Sequence, residues 1–457
     1  MARAARCFFI LAFVSASFIA KASPPGVQHW KDSGVSVLFA ETKRSPILDI
    51  ALSFAAGSAY DPPGRSGLAS LVSSVLSMGS RDEDELQIAD KFSSLGALYH
   101  TTVDSDRAII YLRTLSDPDS VRDAINVVED FLTHPSFLPS IVERHKGIML
   151  SKLKTDKSFP EFYVKRSLYR QVYGNHPYGV MPTEKSISDI SVKDVEDFYN
   201  KHYRRRFLSI AMVGNVSRSA AENIVKLLLS GLPSGGSKCR LRQVKARMAS
   251  EEKVDFLSHQ THIAMGGLAV SYADADYFPL LVANQAFGGD PLTSRLAINI
   301  RQNKGLAYSV RSYVLPYQRK GLFGISLQTR ASEAAKAVQA VNDELNNTIT
   351  NCFTNLEIDS AKEQLIRSFP LYWDDNIGYL HILSLIGFYQ LSYNWIGSYV
   401  SHIRAVTRDD VCRAVKLYIK PSLLSTTIVG PAPREEAKES DKEDSMDSLF
   451  TEDSGVN

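Results

Sequence analysis

The chain has 457 residues, a formal net charge of +2 at pH 7 and 44% hydrophobic residues, an ordinary globular composition at a length that allows two or more domains. The near-balanced charge gives no argument for a nucleic-acid partner. Nothing in the composition or patterning fits a repeat solenoid, a collagen or a coiled coil.

At the N-terminus, Arg3 and Arg6 precede an apolar run from Cys7 to Ala20, and Ala20-Lys21-Ala22 offers a small-x-small cleavage site before Ser23-Pro24-Pro25. This is the anatomy of a secretory signal peptide over residues 1–22, too short and wrongly flanked for a membrane span. It implies export, most naturally to a bacterial periplasm. A mitochondrial presequence, which also lacks acidic residues and contains arginine, is the alternative. No later segment approaches transmembrane length, so no membrane association is expected once the signal is removed.

Strand-like Val35 to Phe39 and Ile47 to Phe54 open the first half, alternating as half-buried strands do. Turn residues Pro62, Pro63 and Gly64 then lead into a helix from Gly67 to Leu76, where Leu68, Leu71, Val72, Val75 and Leu76 supply the buried side. Ser70, Ser73 and Ser74 are spaced i, i+3, i+4 and share one face of that helix. Arg107 to Leu112 reads as a further strand. The segment Lys146 to Leu153 is helical and carries Lys152. His176-Pro177-Tyr178-Gly179 reads as a turn with His176 in a structural role, and the basic run from His202 to Arg206 as a solvated connection into the strand Ile210 to Val213.

A Gly/Ser/Pro-rich joint, Ser230 to Ser237, and a basic stretch to Lys253 separate this half from a second one with the same order of elements. Its first strand, Thr261 to Gly266, is apolar around Ile263 and is expected to offer backbone edge groups to an extended peptide. His259 and His262 would point to opposite faces of such a strand, which argues against a shared metal. Helical patterns around Tyr277 to Ala286 and Ala297 to Arg301 bracket a Gly-rich turn at Gly288 and Gly289. Strands at Ala307 to Val314 and Gly324 to Thr329, long helices with a junction at Trp373, Asp374 and Asp375, and a last strand at Thr426 to Val429 complete the half. Without Cys7, three cysteines remain, Cys239, Cys352 and Cys412, with no metal-like spacing; at most one disulfide can form within the chain, and buried or free thiols are expected. Residues 434–457, rich in Glu, Asp, Ser and Lys, read as a disordered acidic tail.

Several of these blocks, in order and at matching spacing, resemble the pitrilysin/insulinase family of zinc peptidases: Gly57-Ser58-Ala59-Tyr60-Asp61, the Gly67 to Leu76 helix with its flanks, His176-Pro177-Tyr178-Gly179, Val213-Gly214-Asn215-Val216 and Ile428-Val429-Gly430-Pro431. The resemblance covers residues 30 to 433. It implies an α+β fold of two related half-domains, each a sheet covered by helices, together forming half of a peptidase clamshell. The domains it implies are residues 30–230, a linker at 231–253, and residues 254–433. In active members the helix carries His-x-x-Glu-His, two zinc ligands and a base, and a later helix supplies a glutamate ligand. Here Ser70, Ser73 and Ser74 stand at the helix positions, and Lys152 falls at the later one. Neither hydroxyl nor ammonium is among zinc's usual ligands, so no metal is expected in this chain.

The segment from Phe287 to Leu296, followed by Ile300 to Val310, resembles the Gly-rich turn and Arg-x-x-x-x-x-x-Tyr element of the family's C-terminal half. The resemblance implies that Arg301 and Tyr308 reach a substrate carbonyl, with Gly288, Gly289 and Ile263 as substrate contacts. Gly305 is suited to stop the helix carrying Arg301 and turn the chain into the strand after Tyr308. Together these features imply the non-zinc subunit of a heterodimeric metalloendopeptidase that cleaves unstructured peptides, its partner a zinc-bearing homologue with an intact motif. The rival is a catalytically inactive peptide-binding or scaffold protein of the same fold.

Overall fold

The computed structural model describes residues 26–236 and 240–431; the signal-peptide segment, Cys239 and the acidic tail lie outside them. The strands in chain order are β1 (Val27–Asp32), β2 (Val35–Glu41), β3 (Ile47–Phe54), β4 (Leu98–Val103), β5 (Ala108–Leu115), β6 (Leu208–Gly214), β7 (Glu251–Asp255), β8 (Thr261–Leu268), β9 (Ser309–Leu315), β10 (Leu322–Thr329) and β11 (Ser425–Gly430). They form two mixed sheets, ordered β1-β2-β6-β3-β5-β4 and β7-β11-β8-β10-β9. Apart from the extra β1, the two orders are the same, and so are the pairing senses. The pair β2 and β6 is parallel like β7 and β11, and the remaining neighbours are antiparallel. The chain is thus a structural duplication.

β1, β4 and β7 were not legible as strands, and all three sit at or beside a sheet edge. Edge strands are half-solvated and carry polar and charged residues, as in Glu-Glu-Lys-Val-Asp of β7, so their hydrophobic alternation is weak. β7 also places part of the expected linker inside the second sheet.

The chain divides into two compact units that do not follow the two contiguous halves. One comprises residues up to 147, 185–240 and 362–405; the other comprises 148–184, 241–361 and the residues from 406 onward. Each unit receives a helix from the other half of the sequence. In the first, the Asn376–Tyr389 helix packs on β2, β3 and β6; in the second, the Pro160–Tyr173 helix packs on β8 and β11. Each sheet is therefore covered in part by a helix from the other half of the sequence.

Small and hydroxyl side chains let these crossing helices come close. A Cβ on Gly387 would stand 3.0 Å from Leu38 Cδ1, and the Ser384 and Ser53 hydroxyls hydrogen-bond at 2.8 Å in the buried seam. In the second unit Gln171 donates to Thr427 at 2.7 Å. These bonds satisfy polar groups that burial would otherwise penalise by about 1–3 kcal/mol each.

Cys352 and Cys412 form a disulfide in the second unit, their Cα atoms 5.5 Å apart and 60 residues apart in sequence. This corrects the expectation of buried or free thiols. The pairing depends on the helix ending at Asn351 meeting the helix Arg408–Tyr418, an adjacency that cysteine spacing does not encode.

Candidate functional site

Ser70, Ser73 and Ser74 lie on the Leu68–Val75 helix of the first unit. Asp61 anchors its start, its carboxylate accepting the backbone N–H groups of Gly67 at 2.8 Å and Ala69 at 2.7 Å. Burial outweighs these donors and pushes the Asp61 pKa up to about 7, although the two N–H groups and the helix dipole favour the charged form. Gly67 takes a φ of 105°, a conformation that side-chain-bearing residues rarely adopt. Ser73 is buried, and Ser70 and Ser74 are half-buried.

The Ser74 hydroxyl donates to the Leu71 carbonyl at 2.8 Å, and His145 Nδ1 lies 3.2 Å from the same oxygen. With the hydroxyl proton on Leu71, that second contact requires a proton on Nδ1. Burial first, then the Arg144 charge, hold His145 below the usual histidine range against an upward pull from Glu85. Sequence reasoning missed His145, which approaches the serine only through tertiary packing. Lys152 belongs to the other unit, where its exposed ammonium pairs with Asp156 at 3.5 Å. Hydroxyls and an ammonium do not make a zinc donor set. Among the described residues no cluster of three or more His, Cys, Asp or Glu could hold a metal.

Arg301 lies on a wide helical turn of the i→i+5 kind, Ala297–Asn303. Gly305, with φ of 63°, reverses the chain, and Leu306 N–H donates to the Ile300 carbonyl at 3.0 Å. This is the stop that the glycine implied. The chain then enters β9 through Tyr308, whose backbone N–H donates to Gln328 at 2.9 Å while 56% of the residue is exposed. Arg301 is exposed, with a 3.4 Å contact from Nη1 to the Pro291 carbonyl. Both residues line a groove of about 870 Å³ between the Pro160–Tyr173 helix and strands β8, β9 and β10, entirely within the second unit.

The turn before Arg301 is held at two points. Asp290 caps it by accepting from Leu292 N–H at 2.9 Å and Thr293 N–H at 2.7 Å. Burial pushes that carboxyl up, but these donors outweigh it and hold Asp290 below the ordinary range. Arg295 makes a bidentate pair with Glu357, at 2.5 and 2.9 Å, and donates to the Cys352 carbonyl at 2.8 Å. The segment carrying Arg301 is thereby tied to the disulfide-bonded core.

The expected placements of Ile263, Gly288 and Gly289 are corrected. β8 is paired on one side with β10 and on the other with β11, so the strand of Ile263 has no free edge; Ile263 is instead 1% exposed in the floor of the groove. The free edge on this side of the sheet belongs to β9. Gly288 and Gly289 do not line the groove. A Cβ on Gly288 would come within 2.7 Å of Ser312 N, and one on Gly289 within 2.8 Å of Gln285 Oε1. Their missing side chains let the turn press against β9 and against itself.

His176 and His262 have local partners. His176 Nδ1 accepts from Tyr178 N–H at 3.2 Å, and its Nε2 lies 3.1 Å from the Arg242 carbonyl, which makes it a turn residue. His262 pairs with Glu161 at 3.5 Å, and His259 lies in the loop before β8. Asp375 caps the Asn376–Tyr389 helix through Gly378 N–H at 2.7 Å.

Two family models match the chain in succession. Residues 36–182 match the family described as Insulinase (Peptidase family M16), and residues 189–365 match Peptidase M16 inactive domain. A solved structure of a peptidase M16 inactive domain from Pseudomonas fluorescens is 30% identical and superposes with a TM-score of 0.84, covering 89% of this chain and 98% of that one. A protease from Helicobacter pylori shares the fold at 14% identity, with a TM-score of 0.80 over 90% of this chain and 100% of that one. Among curated proteins, an uncharacterized zinc protease of Bacillus subtilis is 23% identical over 74% of this chain and 82% of its own length. The mitochondrial-processing peptidase subunit beta of Mus musculus is 24% identical over 83% of this chain and 79% of its own.

Proposed function

The chain belongs to the insulinase-type M16 peptidase family, and on that premise we propose that it is the non-zinc subunit of a two-chain metalloendopeptidase, lending Arg301 and Tyr308 to a site whose metal a zinc-bearing homologue holds. The observation that carries this reading is the contrast within the chain. Serines occupy the helix that would bind metal, while Arg301 and Tyr308 stand exposed at one groove. The naming of one relative as a subunit, and the match of the C-terminal half to an inactive domain, support a division of labour.

In this reading zinc, held by the partner, supplies the activated water. The residues of this chain act on the other side of the peptide bond. The Arg301 guanidinium and Tyr308 phenol donate hydrogen bonds to the substrate carbonyl, and these strengthen as negative charge develops on its oxygen; one such donor contributes about 3 kcal/mol. Arg301 also holds the carbonyl before reaction, because charge-assisted donors bind a neutral acceptor as well.

The test is to mix Tyr308→Phe or Arg301→Ala with the wild-type partner and to measure complex formation and cleavage of an unstructured peptide separately. Tyr308→Phe is expected to lower turnover about a hundredfold with assembly intact, and Arg301→Ala by at least as much with weaker substrate binding. Full turnover in both variants would leave the chain a scaffold. The same reading places the mature chain in a periplasm, which requires that protein recovered from that compartment begin at Ser23.

A further inference from the structure

We propose that the groove beside Arg301 and Tyr308 selects an extended peptide rich in carboxylates. Its lining contains three basic side chains, Lys165, Arg301 and Arg311, and one carboxylate, Glu161. Glu161 lies 3.5 Å from the His262 imidazole and is itself exposed, so its single negative charge stands against the three cations. The three cations have no ion-pair partner among the described residues. Arg311 Nε lies 3.4 Å from the Ser326 hydroxyl, Lys165 Nζ sits 5.8 Å above the Tyr169 ring, and Arg301 reaches only the Pro291 carbonyl. All three are exposed.

A concave surface lined by one sign of charge concentrates its field and draws in ligands of the opposite sign. The shape of the site points to an extended chain as that ligand. β9 leaves one edge unpaired along the groove, and Ser309, Arg311, Tyr313 and Leu315, at alternate positions of that strand, all line it. A peptide laid along that edge would pair through its backbone and place every second side chain over Arg311 and Lys165. The chemistry that fits is a run with Asp or Glu at alternate positions. Half-buried Val164 on the groove wall would take the aliphatic part of one such side chain.

The inference rests on the groove being the peptide site named above, but the two fail in different assays. Binding is measured on this chain alone, by fluorescence anisotropy, with labelled Gly/Ser/Ala-based peptides of equal length that carry Glu, Gln or Lys at alternate positions. The Glu peptide is expected to bind about tenfold more tightly than the Lys peptide at low ionic strength, with the preference shrinking as salt is added. Lys165→Glu with Arg311→Glu should abolish or invert the order, and Lys165→Ser with Arg311→Ser should weaken it, each checked for an unchanged circular dichroism spectrum. Equal or weaker binding of the Glu peptide, no binding of any peptide, or a preference that survives the double reversal would overturn the proposal. So would a short single-stranded oligodeoxynucleotide that binds as tightly as the Glu peptide. Acidic selectivity with no effect of Tyr308→Phe or Arg301→Ala on cleavage would keep this proposal and remove the catalytic one.

Discussion

The two units contain equivalent grooves, each bounded by the helix received from the other half of the chain and by three corresponding strands, β3, β4 and β5 in one and β8, β9 and β10 in the other. Their charges are arranged differently. In the first unit the groove is about 480 Å³ and its arginines are matched by carboxylates. Arg113 holds Asp49 through two bonds, at 2.6 and 3.2 Å, and Arg107 holds Asp104 at 2.9 Å. The hydrogen bond to Asp49 raises the Arg113 guanidinium above its ordinary value. His100 is stacked on Tyr111 with ring centroids 4.7 Å apart. In the second unit the groove is larger and its cations lack carboxylate partners. A duplicated backbone therefore produces two cavities of the same origin, and the pairing of side chains decides which one has charge available to a ligand.

The disulfide offers the strongest way to break this comparison, because among the described residues it lies in the second unit. Closing a loop of 60 residues restrains the unfolded chain by about 4 kcal/mol in the loop-entropy account. Cys352→Ser with Cys412→Ser is expected to lower the hydrogen-exchange protection of β8 to β10 by that order while β3, β5 and β6 hold theirs. Equal losses in both sheets would mean that the units do not open separately.

Acid should act the other way, on the first unit. His202 is buried with Nδ1 3.0 Å from the Ala55 carbonyl, and burial lowers its pKa to about 4, against an upward pull from that carbonyl. The folded form therefore binds fewer protons than the unfolded form. Its contribution is complete above the ordinary histidine pKa near 6.5 and is lost as pH falls toward 4, a change of about 3 kcal/mol. Exchange protection in β3 and β6 measured across that range should fall, and His202→Asn should flatten the dependence. A flat wild-type profile would show that the imidazole reaches solvent.

A smaller effect is expected from Asp49→Asn, which leaves Arg113 without its carboxylate. Removing one member of a fully buried pair costs about 3–5 kcal/mol, but Arg113 keeps access to water, so a loss of about 2 kcal/mol in urea unfolding is expected. No change would mean that this pairing is incidental to the stability of the first unit. The smallest effect belongs to Ser70→His with Ser73→Glu and Ser74→His. Lys152 supplies no third ligand, because an ammonium has no lone pair to give. Metal analysis after dialysis should find no tightly held zinc; one zinc per chain would mean that a carboxylate from elsewhere reaches that helix.

Much of the fold was legible because periodicity survives wherever a face is buried. β3 was read to its last residue at Phe54, and β8, β10 and β11 to within two residues or so, since Ile263, Ile325 and Val429 each lie in the core. The edge strands β1, β4 and β7 escaped because half of each is in water. Of the candidate site, Arg301 and Tyr308 could be picked out by their resemblance to the family's Arg-x-x-x-x-x-x-Tyr element, and the structure brings both to one groove. Lys165 and Arg311 could not, since 146 residues separate them and neither lies in a recognisable pattern.

By itself the sequence determined the family, the duplicated order of elements and the loss of the zinc donors, because each depends on residue identity and short-range spacing. Tertiary structure decided the rest: the exchange of helices between units, the Cys352–Cys412 pairing, the burial of Ile263 in a central strand, and the gathering of three unpaired cations beside β9. The physical reason is that pairing, burial and field depend on which distant segments meet. Strand order and helix crossing set those meetings, and a linear pattern records only which faces seek burial.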